Sequence, residues 1–388
     1  MRSFLILWLA VLALPVCGQD VARLLERAQK ETDLKTQVEL LSQVIEKSPQ
    51  HVGAYHYRAD AYQALGQPHK AILDYNRVIA LRPKDPFRYY ARGLAYQKMG
   101  EPSLAVADFS KAITLKPSHE NFYLARARAY RSMSKYSQAL ADYKKYVGGD
   151  WNSASVKLLH EIIPVSLEAY RYEDAQAQLD ALEQKEDDSA QRQMWQGRLY
   201  QSENKLDEAI SAYSKAVNRS PKQAGPYQLR GNAFKELGDY AAALEDYSRV
   251  LALAPDAYWF NRRGLTYEEL KDFEHAKADY SRAIELDPKW AVAYNNRGFA
   301  KLNLKDFAGA KQDFQTAIKL DPSAPTPYVN LAGTYWTWKK DRKEMYKNLE
   351  KALARNFKNF ETLFNDDQKG WLFKGVNQTA EFRSMLYK

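Results

Sequence analysis

Histidine and cysteine have the widest range of chemistry among the side chains of this chain of 388 residues. No two histidines have the spacing of a metal-binding pair on one turn of a helix, and no His-Glu-x-x-His sequence occurs. His56 and Asp60, one helical turn apart, are the only pair that suggests a site, and the favoured interpretation is an ordinary histidine on the surface or in a groove rather than a metal ligand. Phosphate-binding glycine loops and nucleophile elbows are also missing. The sequence therefore predicts no metal, no cofactor, no catalytic residue and no enzymatic activity. The histidines are His51, His56, His69, His119, His160 and His275.

The N-terminal segment has the pattern of a signal peptide over residues 1–18. Arg2 precedes a short apolar run and then small residues, and the run is too short to cross a bilayer. Cleavage after Gly18 would leave no cysteine in the mature chain, and so no disulfide, thiolate nucleophile or cysteine-bound zinc. The alternative is a lipid anchor on Cys17, although Val16 is not the small residue that usually precedes such a cysteine. We expect an exported protein, periplasmic or secreted, without a transmembrane span.

The charge balance is basic, with 57 Lys and Arg against 48 Asp and Glu, a formal net charge of +9. A basic surface can attract nucleic acid or an anionic membrane. Here the positive residues alternate with acidic ones, and no nucleic-acid motif is present. The composition thus favours a solvated surface of mixed charge and predicts no nucleic-acid partner.

Arginine and aspartate recur in pairs at one constant spacing. Charges repeated in this way could be a ladder of catalytic or ligand-binding groups, or ion pairs that fix the register of a repeated structure. Repetition favours structural ion pairs, because a catalytic site is rarely copied in unit after unit. The pairs are Arg58/Asp74, Arg92/Asp108, Arg126/Asp142, Arg230/Asp246, Arg263/Asp279 and Arg297/Asp313.

These pairs belong to a motif with a period of about 34 residues, which must position them. Apolar residues follow helical spacing in two stretches of each period, so that each unit predicts two amphipathic helices. Small residues at the eighth and twentieth places would let the helices approach closely, with aromatic residues beside them. One copy consists of Tyr89, Arg92, Gly93, Tyr96, Gly100, Ala105, Phe109, Ala112 and Pro117; others contain Tyr55, Arg58, Ala59, Tyr62 and Tyr75, or Tyr227, Arg230, Gly231, Phe234, Ala243 and Tyr247.

About ten such units can be followed along the chain. The repeat motif is weakest in the unit 156–189. There Pro164 lies within the first predicted helix, and Ile163 replaces the small residue of the eighth place. That segment is predicted to join two arrays of repeats. The units are 18–51, 52–85, 86–119, 120–153, 156–189, 190–223, 224–256, 257–290, 291–324 and 325–358. The predicted organisation is a signal peptide (1–18), an N-terminal array (19–153), a degenerate joint (154–189), a C-terminal array (190–358) and capping helices (359–388).

This motif resembles that of the tetratricopeptide repeat family over roughly residues 18–358. The resemblance implies an all-α fold, an α-solenoid of about ten stacked helix-turn-helix units in a right-handed superhelix. It also implies a concave groove lined by the first helix of each pair. Predicted to face this groove are Phe87, Tyr90, Leu94, Arg128, Arg131, Trp195, Arg198, Asn232, Lys235, Asn261, Arg262, Asn295, Asn296, Phe299, Asn330 and Trp336.

The expected function is a non-enzymatic scaffold that holds a protein or peptide in this groove. Arginine and aromatic side chains are frequent anchors at interfaces, and asparagine can pair with an extended peptide backbone. Asparagine at the sixth place, as at Asn296 and Asn330, is also common in the family, so its role stays open. No unit has the lysine and asparagine with which some relatives bind a chain terminus. The alternative is a glycan-binding subunit of an envelope enzyme or export complex, with Tyr90, Trp195 and Trp336 stacking on sugars.

Overall fold

The computed structural model describes residues 19–355, 357, 370–376 and 379–386. Their regular secondary structure is helical throughout, as the sequence predicts. None of the helices in these ranges has both the length and the apolar content needed to cross a bilayer. The predicted signal peptide, with Cys17, lies outside the described residues, as does much of the predicted capping segment. The chain divides into two compact units, Met1–Asp187 and Asp188–Lys388, which are described separately.

The first unit contains ten helices among its described residues. A short 3-10 turn, Trp151–Ser153, follows α8. The helices are α1 (19–30), α2 (Leu34–Lys47), α3 (Val52–Ala64), α4 (Pro68–Leu81), α5 (Pro86–Lys98), α6 (Pro102–Leu115), α7 (Glu120–Ser132), α8 (Tyr136–Tyr146), α9 (Val156–Glu168) and α10 (Tyr172–Gln184).

The second unit continues the same alternation. A 3-10 turn, Gly370–Phe373, precedes its last described helix. The helices are α11 (Ala190–Ser202), α12 (Leu206–Arg219), α13 (Ala224–Leu237), α14 (Tyr240–Leu253), α15 (Ala257–Glu269), α16 (Phe273–Leu286), α17 (Ala291–Asn303), α18 (Phe307–Leu320), α19 (Thr326–Lys339), α20 (Arg342–Leu353) and α21 (Ala380–Leu386).

The helices pack in sequential order within each unit. From α3 onward in the first unit, and from α11 to α20 in the second, each odd-numbered helix packs on the even-numbered helix that follows it. The even-numbered helices α2 to α8 and α12 to α18 in turn pack on the next odd-numbered helix of their unit. Such nearest-neighbour stacking is the defining property of a solenoid. The predicted stacked helix pairs are confirmed.

The two helices of a pair approach closely because the eighth place is small. A Cβ atom on Gly93 would lie 2.6 Å from the ring of Phe109, and one on Gly231 would lie 2.9 Å from the ring of Tyr247. Ala243, at the twentieth place, is completely buried. The predicted small-residue crossing is confirmed: the aromatic ring of the second helix occupies the space that a side chain on the first would need.

The turn between paired helices adopts the left-handed conformation even without glycine. Gly66 closes α3 with a φ of 70°. Ser134 and Lys271 occupy the equivalent turns with φ values of 56° and 59°. Glycine makes this turn easy, since it has no Cβ, but the packed helix pair holds other residues there too.

The repeated arginine–aspartate pairs are structural ion pairs that link three helices. In one copy, Arg92 donates from Nε and Nη2 to Asp108 at 2.8 and 2.6 Å, and from Nη1 to Asn76 of the preceding pair at 2.6 Å. The rings of Tyr89 and Tyr96 flank its guanidinium at 5.9 and 5.8 Å. Asp108 is only 5% exposed. We call this two-bond contact of one arginine with one aspartate a fork. The same fork occurs at Arg58, Arg126, Arg230, Arg263 and Arg297, each with its predicted aspartate.

The α9–α10 pair lacks this fork, as its degenerate sequence suggests. Pro164 lies inside α9 without ending it. Ile162 is fully buried at the place of the arginine, and Gln178, at the place of the aspartate, accepts a hydrogen bond from Ser166 at 2.9 Å. Apolar packing and one buried neutral hydrogen bond therefore take over the role of the ion pair.

The described part of the C-terminal segment covers the last helix pair. Leu372, Phe373 and Phe382 are completely buried in one apolar cluster with Leu331 and Leu349 of α19 and α20. An end repeat exposes an apolar face that a cap must cover, and these residues supply that cover.

Candidate functional site

The predicted groove residues all lie on odd-numbered helices, the first helices of their pairs. In the first unit, Tyr90 is on α5, and Arg128 and Arg131 are on α7. The second unit holds Trp195 and Arg198 on α11, Asn232 on α13, Asn261 and Arg262 on α15, Asn295 and Asn296 on α17, and Asn330 and Trp336 on α19.

The aromatic residue at the twenty-fourth place determines whether the neighbouring surface of the first helix is polar. Four tyrosine hydroxyls at this place reach that surface and donate to a side chain there: Tyr75 to Asp60, Tyr143 to Glu161, Tyr213 to Gln201 and Tyr247 to Asn232, at 2.6 to 3.0 Å. The buried hydroxyl of Tyr280, at the same place, has no hydrogen-bond partner among the described residues. Where the residue is phenylalanine, the ninth place is apolar, as with Phe109 and Leu94 or Phe314 and Phe299. Most buried hydroxyls have a hydrogen-bond partner, so a tyrosine at this place favours a polar neighbour.

Glu161 binds both arginines predicted for the groove of the first unit. Arg128 donates to both carboxylate oxygens of Glu161 at 2.9 Å, and Arg131 Nη1 lies 3.2 Å from Oε1. The hydroxyl of Tyr143 donates to the same carboxylate at 2.8 Å. Glu161 is on α9 and its side chain is 18% exposed, whereas both arginines are more than 40% exposed. The chain thus supplies its own carboxylate to this cationic pair.

The electrostatics of Glu161 agree with this geometry. Burial alone would raise the pKa of its carboxyl. The hydrogen bonds from Arg128 and Tyr143, with the charges of Arg128 and Arg131, outweigh burial and hold the pKa below the ordinary value of 4.5. The carboxylate is therefore ionised at neutral pH.

Tyr90 belongs to an aromatic group in the first unit. Its ring lies 5.7 Å from that of Phe109 and 5.1 Å from that of Phe122. Phe87 packs edge-on against Phe122 at 5.6 Å and remains 42% exposed. Burial raises the pKa of the Tyr90 hydroxyl. This part of the surface is apolar and offers ring faces rather than charges.

The predicted His56 and Asp60 pair is in contact. His56 Nε2 lies 3.4 Å from Asp60, which also accepts a 2.6 Å hydrogen bond from Tyr75. Burial lowers the pKa of His56, and the charge of Asp60 opposes that effect only in part. Among the described residues, no group of three or more His, Cys, Asp or Glu side chains could hold a metal ion.

Four asparagines form a continuous hydrogen-bonded line across three first helices of the second unit. Asn330 donates to Asn295 at 3.0 Å, Asn295 donates to Asn296 at 3.2 Å, and Asn296 donates to Asn261 at 3.0 Å. Asn330 and Asn261 are buried, whereas Asn295 and Asn296 are half-buried on α17. Neither amide atom of Asn295 or Asn296 is both buried and unsatisfied. Each of the two central amides therefore has one N–H and one oxygen lone pair beyond those used in the line.

Two cationic residues, Arg262 on α15 and Lys235 on α13, lie near this line of amides, and Arg262 directly follows Asn261 in the sequence. Arg262 donates from Nη2 to Asn232 Oδ1 at 3.0 Å, while its Nε is buried without a hydrogen-bond partner among the described residues. Asn232 Oδ1 also accepts from Tyr247 at 2.8 Å. Burial and then the charge of Arg262 lower the pKa of Lys235, and Glu269 offsets that effect only in part.

The two predicted tryptophans each have a cation over the ring. Arg198 lies 5.3 Å from the Trp195 ring, and Lys340 lies 4.7 Å from the Trp336 ring. Trp336 Nε1 donates to the carbonyl of Lys374 in the C-terminal segment at 3.0 Å. Trp195 Nε1 is buried without a hydrogen-bond partner among the described residues. Trp336 thus helps to hold the cap, whereas Trp195 has an unused donor.

Sequence reasoning did not identify Glu161 or Gln201, and it did not anticipate that Asp60 accepts a hydrogen bond from Tyr75. A usable signal existed, because a buried tyrosine hydroxyl at the twenty-fourth place favours a polar partner on an adjacent first helix. Tyr143 would have directed attention to the surface where Glu161 lies. The prediction that Arg128 and Arg131 bind a ligand stays a prediction, now with an internal carboxylate already bound to both.

The chain matches two family models. One, described as Tetratricopeptide repeat, matches residues 86–119, 226–256, 257–289 and 291–324, and another, described as TPR repeat, matches 59–100 and 197–238. A comparison with curated protein sequences found no match.

Similar solved structures include a crystal structure of MamA, which is 22% identical to this chain with a TM-score of 0.40. The match covers 42% of this chain and 96% of MamA. Another is YrrB, described as a TPR protein with an unusual peptide-binding site. YrrB is 23% identical with a TM-score of 0.39, and its match covers 45% of this chain and 90% of YrrB.

Proposed function

Because the chain belongs to the tetratricopeptide-repeat family, we propose that it is a non-enzymatic scaffold that binds an extended protein segment on the first helices of its repeats. The family fold is a protein-binding scaffold. Fold alone does not establish function, so the proposal depends on the surface of the first helices.

The line of asparagines on α15, α17 and α19 carries this proposal. Asn295 and Asn296 each use one donor and one acceptor within the line, which fixes their orientation. Their second N–H and second lone pair match the alternating C=O and N–H groups of an extended backbone. A fixed amide loses little conformational entropy when a ligand binds, which favours recognition of backbone without demanding one side-chain sequence.

The test is peptide binding by the purified full-length chain and by Asn296→Ala. Peptide arrays should show binding by the wild type and a loss of affinity of about tenfold in the variant, since hydrogen bonds to the backbone disappear. Gln312→Ala, an exposed residue on the second helix α18, is the matched control and should bind normally. An array without any bound peptide, or equal binding by both variants, would contradict the proposal.

A glycan array with the same protein distinguishes the alternative function, glycan binding, from peptide binding. The unused Nε1 donor of Trp195 is the observation that favours sugar binding there. Glycan binding that Trp195→Ala abolishes, together with an empty peptide array, would replace the peptide scaffold with the glycan-binding subunit.

We also propose export to the periplasm or the cell exterior, from the N-terminal sequence alone. N-terminal mass spectrometry of protein from its own cells tests this directly. A mature chain that begins after Gly18 supports secretion, a lipid-modified Cys17 supports an anchored form, and an intact Met1 contradicts export.

A further inference from the structure

We propose that the second unit has a carboxylate-binding site, formed by Lys235, Arg262 and Asn232, which selects acidic residues in the bound peptide. This inference rests on the proposed function, because it specifies the chemistry of a segment held on the same helices. The site lies on α13 and α15, next to the α15–α17 part of the asparagine line.

The remaining hydrogen-bonding capacity of Asn232, Arg262 and Lys235 is donor capacity only. Asn232 Oδ1 accepts from both Tyr247 and Arg262, so both of its lone pairs are used. Since a guanidinium can only donate, its bond to Asn232 also fixes which amide atom is the oxygen. The Nδ2 donors of Asn232, the Nε and Nη1 donors of Arg262 and the ammonium of Lys235 remain. Such a site suits a ligand group that only accepts, as a carboxylate does.

The cations at this site lack an internal counter-ion in contact. Within the described chain, neither Lys235 nor Arg262 has a carboxylate within ion-pair distance, and Arg262 Nε is buried without an acceptor. Burial and the charge of Arg262 disfavour the protonated form of Lys235, and Glu268 and Glu269 compensate only in part. A bound anion would relieve this repulsion.

The first unit contains the same arrangement in a filled form. Arg128 and Arg131 occupy the ninth and twelfth places that Asn232 and Lys235 occupy in the second unit. In the first unit, the sixth place of the next repeat supplies Glu161, whose carboxylate binds both arginines. In the second unit, that sixth place supplies Arg262. The frame therefore holds a carboxylate beside these places, and in the second unit the carboxylate must come from a ligand.

The favoured source is an acidic side chain of a peptide. The adjoining amides of Asn295 and Asn296 offer both donors and acceptors, which suits a peptide backbone, while this site offers donors and positive charge only. A terminal carboxylate has the same chemistry, so peptides with free and with amidated C-termini distinguish the two sources.

The experiment is selection from a random peptide library on the full-length chain, followed by affinity measurements with synthetic peptides. Selected peptides should be enriched in Asp and Glu. Replacement of the acidic residue by its amide should weaken wild-type binding about tenfold, the value expected for charge-assisted hydrogen bonds. Lys235→Gln and Arg262→Gln should lose most of this difference, and a selection on either variant should lose the enrichment.

Matched control variants distinguish the loss of a specific binding site from a change in net charge and from misfolding. Lys277→Gln and Arg282→Gln remove the same charges from the second helix α16 and should keep the acidic preference. Lys235→Arg preserves the charge and should keep it as well. Circular dichroism of each variant verifies that the helices are intact.

The outcomes separate the two proposals. Selected peptides without an acidic preference, or a preference unaffected by Lys235→Gln and Arg262→Gln, would overturn the carboxylate site while the scaffold function stands. A preference that disappears on amidation of the C-terminus would assign the site to a chain terminus rather than a side chain and overturn the side-chain form. Tighter binding of single-stranded DNA to the same residues would make the peptide the wrong occupant, and no selected peptide at all would remove the proposed function itself.

Discussion

The surroundings of Tyr143 in the first unit and of Tyr247 in the second are two versions of one structural position. Both hydroxyls reach a first helix, where Tyr143 donates to Glu161 and Tyr247 donates to Asn232. Around Tyr143 the chain pairs Arg128 and Arg131 with its own carboxylate, Glu161. Around Tyr247 it adds Arg262 where the first unit has the acid. The exchange of Glu161 for Arg262 at the sixth place, together with that of Arg128 for Asn232 at the ninth, changes a closed ion-pair network into an open, donor-only surface.

The difference shows that the packing of the helix pairs and the chemistry of the first-helix surface are specified by different places of the repeat. The fork of Arg126 with Asp142 and the fork of Arg230 with Asp246 have nearly the same geometry, with donor–acceptor distances of 2.7 to 2.9 Å. Because the frame is constant, the sixth, ninth and twelfth places can vary without loss of the fold. Ligand specificity is therefore expected at those places and not at the fork.

The largest effect should come from breaking the shared frame. Asp142→Ala and Asp246→Ala each leave a mostly buried arginine without its carboxylate, and each should destabilise its local helix pair by about 3 kcal/mol. Hydrogen exchange of α7–α8 and α13–α14 measures the local loss, which a global unfolding curve of a repeat protein would blur.

The exposed neighbour of Asp246 on α14, Glu245, provides the control. Glu245→Ala should change stability by less than about 0.5 kcal/mol. Clearly unequal losses in the two aspartate variants would show that the frames differ, and the contrast between Glu161 and Arg262 could then not be attributed to the sixth place alone.

A smaller effect is expected from Glu161→Gln. The amide keeps one acceptor for Tyr143 but loses its charge beside Arg128 and Arg131, and should destabilise the first unit by about 1–2 kcal/mol. Since the folded-state pKa of Glu161 is depressed, its contribution is complete above the ordinary value of 4.5 and is lost as pH falls through the folded value. Hydrogen exchange of α7 and α9 at neutral and acidic pH should show a smaller acid-induced loss in Glu161→Gln than in the wild type.

The Glu161→Gln variant also tests, by peptide binding, whether the first and second units have equivalent carboxylate positions. With its internal carboxylate gone, the Arg128 and Arg131 pair should acquire affinity for the acidic peptides selected by the second unit. Binding stoichiometry from calorimetry should then exceed that of the wild type. An unchanged stoichiometry would mean that the first unit is not an equivalent, filled site.

Arg262→Glu performs the reverse exchange. A carboxylate at this place has Lys235 and the Nδ2 donors of Asn232 beside it, so we expect a stabilisation of the second unit of about 0.5 kcal/mol, typical of a partly exposed ion pair. Acidic peptides should no longer be preferred. Thermal unfolding and the peptide selection measure the two effects. Retention of the acidic preference in Arg262→Glu would contradict the equivalence of the two positions.

Most of the fold could be predicted from the sequence, because spacing determines which faces pack. Gly93, Ala243 and the arginine–aspartate pairs recur with the period of the repeat, and their contacts follow from that register. The ligand surface could be predicted only as a set of places. Whether Arg128 meets a ligand depends on Glu161 of the following repeat, a contact that spans unlike repeats and has no period. The predicted boundaries of the two arrays, at 153 and 190, stay predictions.

The smallest effect should be a pH dependence carried by Lys235. Burial and the charge of Arg262 hold its pKa below the ordinary 10.5, and Glu268 and Glu269 offset this only in part. A bound carboxylate favours the protonated lysine, so acidic-peptide affinity should fall by about threefold as pH rises through the lowered value, which is the range of a partly exposed ion pair. Lys235→Arg should remove this fall, because arginine stays charged. A wild-type affinity that is constant up to pH 10.5 would mean that Lys235 does not contact the ligand carboxylate, and the second unit would then recognise its ligand through Arg262 and Asn232 alone.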